Sequence, residues 1–202
     1  MSLCRVCNHH HEEGVRCSIC GHTGKSKVFQ FLKANRPINQ LRFVSFRVNG
    51  NSDNPCKGNW CFARLLRERN FGTASTGLFD DSDVKTANHV LTFVGDAPVA
   101  AARWGWAVEN GVEIAVIDKL GVVDIRRRRT YGTYTLTNII EDIKAKVATE
   151  SRLLYAIVAH VPHDPTHPAW KTFVKCGFQP MGEPIAIVTS PDPCAKMVLR
   201  CS

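Results

Sequence analysis

The chain has 202 residues, 44% of them hydrophobic and 22% charged, with a formal net charge of +8. These values fit one folded domain of ordinary size with a small appendage, and they exclude a disordered or low-complexity chain. No apolar stretch approaches the roughly 18 residues of a membrane helix, and the opening MSLCRVCNHHHEE lacks the apolar core of a secretory signal, so the expectation is an intracellular protein with no membrane partner.

Excess positive charge suits anionic partners: a phosphate-rich cofactor, nucleic acid or an acidic protein. Much of it lies in the block Arg126–Arg129 and in the stretch from Lys25 to Arg47. The basic clusters lean the expected location toward the nucleus rather than the cytoplasm.

The N-terminal segment reads Cys4-Arg-Val-Cys7, nine residues, then Cys17-Ser-Ile-Cys20-Gly21-His22. Each CxxC turn lets two thiolates converge on one ion, and two such knuckles complete a closed tetrahedral site. In an intracellular chain this pairing indicates metal rather than disulfides. Cys4, Cys7, Cys17 and Cys20 are therefore expected to hold one structural zinc ion, in a module similar to a zinc ribbon or rubredoxin knuckle pair. His9, His10, His11 and His22 are alternative ligands. A full set of thiolates leaves no open coordination position, which argues against a catalytic metal. The division expected is a zinc-binding module at 1–24, a basic linker at 25–39 and one α/β domain at 40–202.

Within that domain, Gln40–Asn49 reads as a strand and Gly50–Pro55 as a loop. Trp60–Phe71 reads as a helix, followed by a loop or short second helix over Gly72–Lys85. His89–Val94, Pro98–Val108 and Val112–Val123 read as three strands joined at Gly95-Asp96-Ala97 and Glu109-Asn110-Gly111, an antiparallel meander. Leu136, Ile139, Ile140, Ile143 and Val147 recur at helical spacing within Thr133–Thr149. Leu153–His160 is a continuous apolar strand, the pattern of the middle of a sheet covered on both faces. A short helix at Pro165–Cys176 closes on Gly177, and Phe178–Val188 with Lys196–Cys201 reads as a final strand pair.

That order of elements resembles the GNAT superfamily of N-acetyltransferases over roughly Leu41 to Arg200. Three segments carry the resemblance: VVDIRRRRTYGTYTL from Val122 to Leu136, the apolar strand Leu153–His160, and Ala169-Trp-Lys-Thr-Phe-Val-Lys-Cys-Gly177-Phe178. It implies an α/β (α+β) fold, a mixed and mostly antiparallel sheet flanked by helices, and acetyl-CoA as cofactor. The first segment has a physical logic of its own. A strand ends, basic residues follow, and a helix opens at a glycine; free N–H groups at a helix start bind phosphate.

The family pattern Arg/Gln-x-x-Gly-x-Gly/Ala fits in two registers, each lacking one glycine. Arg127-x-x-Thr130-Tyr131-Gly132 puts threonine at the first, and Arg129-x-x-Gly132-Thr133-Tyr134 puts tyrosine at the last. The first register is preferred because Tyr131-Gly132-Thr133 then opens the helix. The other reading of the arginine block is a nucleic-acid or localisation patch. The resemblance implies cofactor contacts from Leu120, Gly121, Val122, Arg127, Arg128, Arg129, Thr130, Tyr131, Gly132 and Thr133.

The resemblance also implies a backbone N–H in the splayed fourth strand to polarise the thioester carbonyl, here within Lys119–Val122, with Gly121 a natural bulge. Candidates for the base that deprotonates the amine are Glu113 and Asp118, which have opposite strand parity, and His160 and His163, whose intrinsic pKa suits the task. Where the family often carries a tyrosine as general acid, this chain has Phe173, which cannot donate a proton. Two functions follow: an acetyl-CoA-dependent N-acetyltransferase acting on a protein or small-molecule amine, or a catalytically weak GNAT-like adaptor that binds nucleic acid or protein.

Overall fold

A computed structural model describes residues 2–3, 10–11, 41–48, 58–72, 79–123, 130–187, 190 and 192–201. Two short strands, β1 (Ser2–Leu3) and β2 (His10–His11), pair antiparallel, so the first CxxC lies in sequence between them. The remaining strands form one sheet: β3 (Leu41–Phe46), β4 (Asn88–Val94), β5 (Ala97–Glu109), β6 (Val112–Val122), β7 (Leu154–Pro162), β8 (Gln179–Pro180) and β9 (Cys194–Arg200). Their spatial order is β3-β4-β5-β6-β7-β9-β8. Among the described residues every pairing is antiparallel except β6 with β7.

Among the described residues four helices flank the sheet: α1 (Asn59–Phe71), α2 (Asp81–Lys85), α3 (Tyr131–Glu150) and α4 (Pro168–Lys175). The apolar stripe of α3, Leu136, Ile139, Ile140 and Ile143, packs with Phe173 of α4 onto Ala102, Trp104, Ala115, Ile117, Ile157, Ala159 and Met197. On the opposite face Trp60, Ala63 and Leu66 of α1 meet Leu91, Phe93, Val99 and Ala101. Cover on both sides explains why β4 is buried along its whole length. Asp142 pins α3 to the sheet by accepting from Ser45 Oγ at 2.8 Å and Trp104 Nε1 at 2.9 Å.

The start of α4 and the last hairpin differ from the sequence reading. Helix α4 begins at Pro168, because His167 is its N-cap and its Nδ1 accepts from the Ala169 N–H at 3.2 Å. Proline fits the first helical position, where no intrahelical N–H bond is lost. The long strand expected over Phe178–Val188 shrinks to Gln179–Pro180 plus a bridge from Ile185 to Cys194. Pro180 and Pro184 have no N–H for a ladder, and Gly182 turns the chain at φ 77°. Cys61 and Cys194 are buried as small apolar groups, while Cys176 and Cys201 are half-buried.

Candidate active site

The parallel ladder between β6 and β7 runs only as far as Ile117 opposite Ala159. Both strands continue, β6 to Val122 and β7 to Pro162. Beyond Ile117 the two strands no longer pair with each other. The result is a wedge at the C-terminal end of the one parallel junction among the described residues.

Helix α3 opens beside that wedge. Its N-cap, Thr130, has φ 63° and ψ −1°, and its side chain makes no capping hydrogen bond; the first turn carries no acidic residue. The first helical bond runs from the Tyr134 N–H to Thr130 O at 2.9 Å. The N–H groups of Tyr131, Gly132 and Thr133 thus lie in the turn whose donors have no intrahelical acceptor. A Cβ on Gly132 would stand 3.6 Å from Val122 Cγ2 and from Thr172 Cγ2, so this turn lies between the end of β6 and helix α4. A left-handed conformation at 130 is one that glycine adopts without strain and a β-branched residue does not. The register with Thr130 at the first glycine position therefore has that residue in the conformation a glycine would take. Arg127, Arg128 and Arg129 lie outside the described residues.

A bulge sits on β6 at the wedge. Ala101 pairs with Gly121 and Arg103 with Asp118, so Lys119 and Leu120 together oppose one residue, Ala102. Lys119 carries the strain, at φ 53°. Gly121 is therefore not the bulge residue. Its lack of a side chain serves close packing instead: a Cβ there would come within 2.8 Å of Asn70 Cγ and 2.9 Å of Asn70 Cβ on α1.

The candidate bases separate. Glu113 stands at the far end of β6, eight residues from Gly121 and roughly 25 Å away along the strand, where it forms an ion pair with Arg152. That site removes it from the wedge. Asp118 stands at the mouth of the wedge, but both its oxygens accept from Arg103, at 2.7 Å from Nε and 2.8 Å from Nη2. His160 lies on β7 at the wedge, exposed, on the same face as Ala156 and Val158. Its cross-strand neighbour is Lys196, whose Nζ donates to both oxygens of Glu109 at 2.6 Å. Partial burial, then the Lys196 charge, lowers the His160 pKa, so the ring is neutral near pH 7. His163 packs edge-on to Trp170 at 5.6 Å.

Phe173 is buried and packs edge-on to Phe178 at 4.9 Å, part of the core rather than of any proton path. Tyr131 is buried against the α1 side, and Tyr155 is half exposed near the Glu113 end of β7.

Sequence reasoning missed a charged network beside the bulge. Arg67, Asp83, His89 and Arg103 are all buried. Asp83 accepts from Arg67 Nη1 at 2.6 Å, and His89 stands 2.7 Å from Arg67 Nη2 through Nδ1 and 2.6 Å from the Asp83 carbonyl through Nε2. These contacts assign the proton to Nε2, which donates to the carbonyl while Nδ1 accepts from the guanidinium. Burial, then the Arg67 charge, lowers the His89 pKa to about 4. Arg103 also binds Asp80, whose carboxyl is held far below the usual range, first by that hydrogen bond. Two signals were available. Arg103 is the single charged residue in the apolar run PVAAARWGWAV, and Asp80-x-x-Asp83 has capping-box spacing, a box that is present at the start of α2.

No protein-family model and no curated protein sequence matches the chain. Solved structures do. A Bacillus subtilis acetyltransferase in complex with CoA is 14% identical with a TM-score of 0.56, over 80% of this chain and 99% of that one. Naa50 of Arabidopsis thaliana, in complex with the bisubstrate analogue CoA-Ac-MVNAL, is 17% identical with a TM-score of 0.54, again over 80% and 99%. An acyl-CoA N-acyltransferase from Pseudomonas aeruginosa is 13% identical with a TM-score of 0.53, over 78% and 98%. Strand order, the parallel junction that splays, and these likenesses agree: the described domain has the GNAT fold.

Proposed function

We propose that this chain is an acetyl-CoA-dependent N-acetyltransferase acting on a protein or small-molecule amine. The observation that carries the reading is the placement of the α3 N-terminus, with no acidic residue in its first turn, beside the end of the β6–β7 ladder. CoA is held in the Bacillus subtilis structure of the same fold.

In this reading the first-turn N–H groups of α3, helped by Arg127, Arg128 and Arg129, hold the cofactor's pyrophosphate. Gly132 leaves that turn open, and Leu120, Gly121 and Val122 line the wedge. Bound acetyl-CoA supplies the acetyl thioester. A β6 backbone N–H beyond the bulge would polarise its carbonyl oxygen by donating a hydrogen bond to it. His160, neutral near pH 7, accepts the proton that the ammonium must lose before its nitrogen attacks. Phe173 has no proton to give, so the thiol leaving group would take, through water, the proton that the amine nitrogen sheds on forming the amide. A second reading, a GNAT-fold adaptor that binds nucleic acid or an acidic protein without catalysis, is favoured by Phe173 and the +8 charge.

Titration calorimetry with acetyl-CoA, followed by thiol release in the presence of amine mixtures, decides between them. The expected result is micromolar binding and thiol release whose rate falls as pH drops through the His160 pKa, below the ordinary 6.5. That acid limb should vanish in His160→Gln. No binding at millimolar acetyl-CoA overturns the enzyme reading and turns attention to salt-sensitive nucleic-acid binding.

Cys4, Cys7, Cys17 and Cys20 lie outside the described residues, and we propose that they bind one zinc. The antiparallel pairing of Ser2–Leu3 with His10–His11, on either side of the first CxxC, is compatible with a knuckle. Cys4→Ser should abolish the metal found by elemental analysis; an unchanged one zinc per chain would refute the ligand set.

A further inference from the structure

The bulge on β6 needs something to hold it. A lysine at φ 53° is strained, and a regular strand would relieve that strain. Relief would shift residues 119–122 by one position and send each side chain and N–H to the opposite side.

Three contacts oppose that shift. Arg103, on the neighbouring strand, grips both oxygens of Asp118, the last residue before the bulge. The same guanidinium donates from Nη1 and Nη2 to the two oxygens of Asp80, both at 2.8 Å, and from Nη1 to Ser82 Oγ at 2.9 Å. The Lys119 ammonium reaches Asp80 at 3.3 Å and Asp83 at 3.8 Å. Asp80 caps α2 and Asp83 closes the capping box, so the guanidinium joins the α2 start to the edge of the wedge. Arg103 itself is 8% exposed, so its donors bind side chains rather than water. Burial opposes its charge, while the hydrogen bonds to Asp118 and Asp80 more than offset burial and keep it cationic.

We propose that Arg103 is a positioning residue: by clamping Asp118 and Asp80 it fixes the Lys119 bulge, and with it the direction of the β6 N–H groups that line the wedge. The ligand part of this inference rests on the acetyltransferase reading; the structural part does not. Lysine at 103 would keep the charge but not the planar fork that serves two carboxylates at once.

The test uses the full chain carrying Arg103→Lys, with Asp118→Asn as a second variant should the first fail to fold. Affinities for acetyl-CoA and CoA are measured together with amide hydrogen exchange. In the unmutated chain the acetyl group should add about fivefold in affinity over CoA, the value of one ordinary hydrogen bond. The variant should lose that ratio and keep its CoA affinity. Exchange at residues 119–122 should quicken about tenfold or more while α3 is unchanged, because opening would be local. An unchanged ratio with unchanged exchange overturns the proposal, as does an equal loss of both ligands with faster exchange throughout. If the unmutated chain binds neither ligand, the acetyltransferase reading falls, and exchange at 119–122 alone decides the clamp.

Discussion

Asp83→Ala should destabilise the domain by about 3–5 kcal/mol, the cost of leaving a buried charge without its partner. The side chain of Arg67 has no solvent exposure and that of Asp83 only 2%, and their contact is 2.6 Å. Alanine would leave the Arg67 guanidinium inside the protein, with the Arg103 and Lys119 cations that also face Asp83 losing part of their compensation. Asp83→Asn keeps an acceptor in place and should cost less. Urea unfolding of the three proteins at pH 7 checks the order; equal stability of the alanine variant and the parent would show that water reaches Arg67. The same cluster sets an acid limit. His89 has a folded pKa of about 4, against 6.5 unfolded, so the unfolded chain binds the extra proton as pH falls between those values. Stability should therefore drop by about 3 kcal/mol from pH 6.5 to 4 on this group alone, and His89→Gln should flatten that slope.

Gly132→Trp should lower acetyl-CoA affinity by at least about 100-fold in protein that still unfolds cooperatively, with some loss in the unfolding midpoint. A methyl group at 132 meets only ordinary contacts at 3.6–3.7 Å with Thr172 and Val122. Gly132→Ala is accordingly expected to fold at least as well, since alanine is favoured over glycine in a helix by about 1 kcal/mol. An indole is far larger than that gap and must cover the first-turn N–H groups. Calorimetry on the three proteins separates the outcomes: full affinity in the tryptophan variant would place the cofactor elsewhere, and lost affinity in the alanine variant would mean the turn tolerates no side chain at all.

Local patterns carried most of the architecture. The two hairpin turns, the stripe of Leu136, Ile139, Ile140 and Ile143, and the apolar β7 are all encoded over a few residues, and all appear where their periodicity places them. The helix start at Thr130 and Gly132 was legible for the same reason. What stayed hidden was set by partners distant in the chain. Gly121 is small because Asn70 of α1 lies against it, and the bulge falls at Lys119, whose ammonium lies beside Asp80 and Asp83. Glu113 looked as eligible as Asp118 until pairing with Val108 and Leu154 put it at the far end of the strand. Phe178–Val188 misled because its apolar residues suggested a ladder that its prolines could not complete.

The parallel junction of β6 with β7 has a consequence for assembly. β4, β5 and β6 are joined by tight turns and can zip together with little loop-closure entropy. β7 reaches β6 only after α3 has crossed between them, a contact spanning about forty residues from Ile117 to Ala159. The wedge has no existence before that contact is made. Any ligand it holds is thus linked to the completed sheet alone, and by mass action it adds nothing to a chain whose β7 has yet to dock.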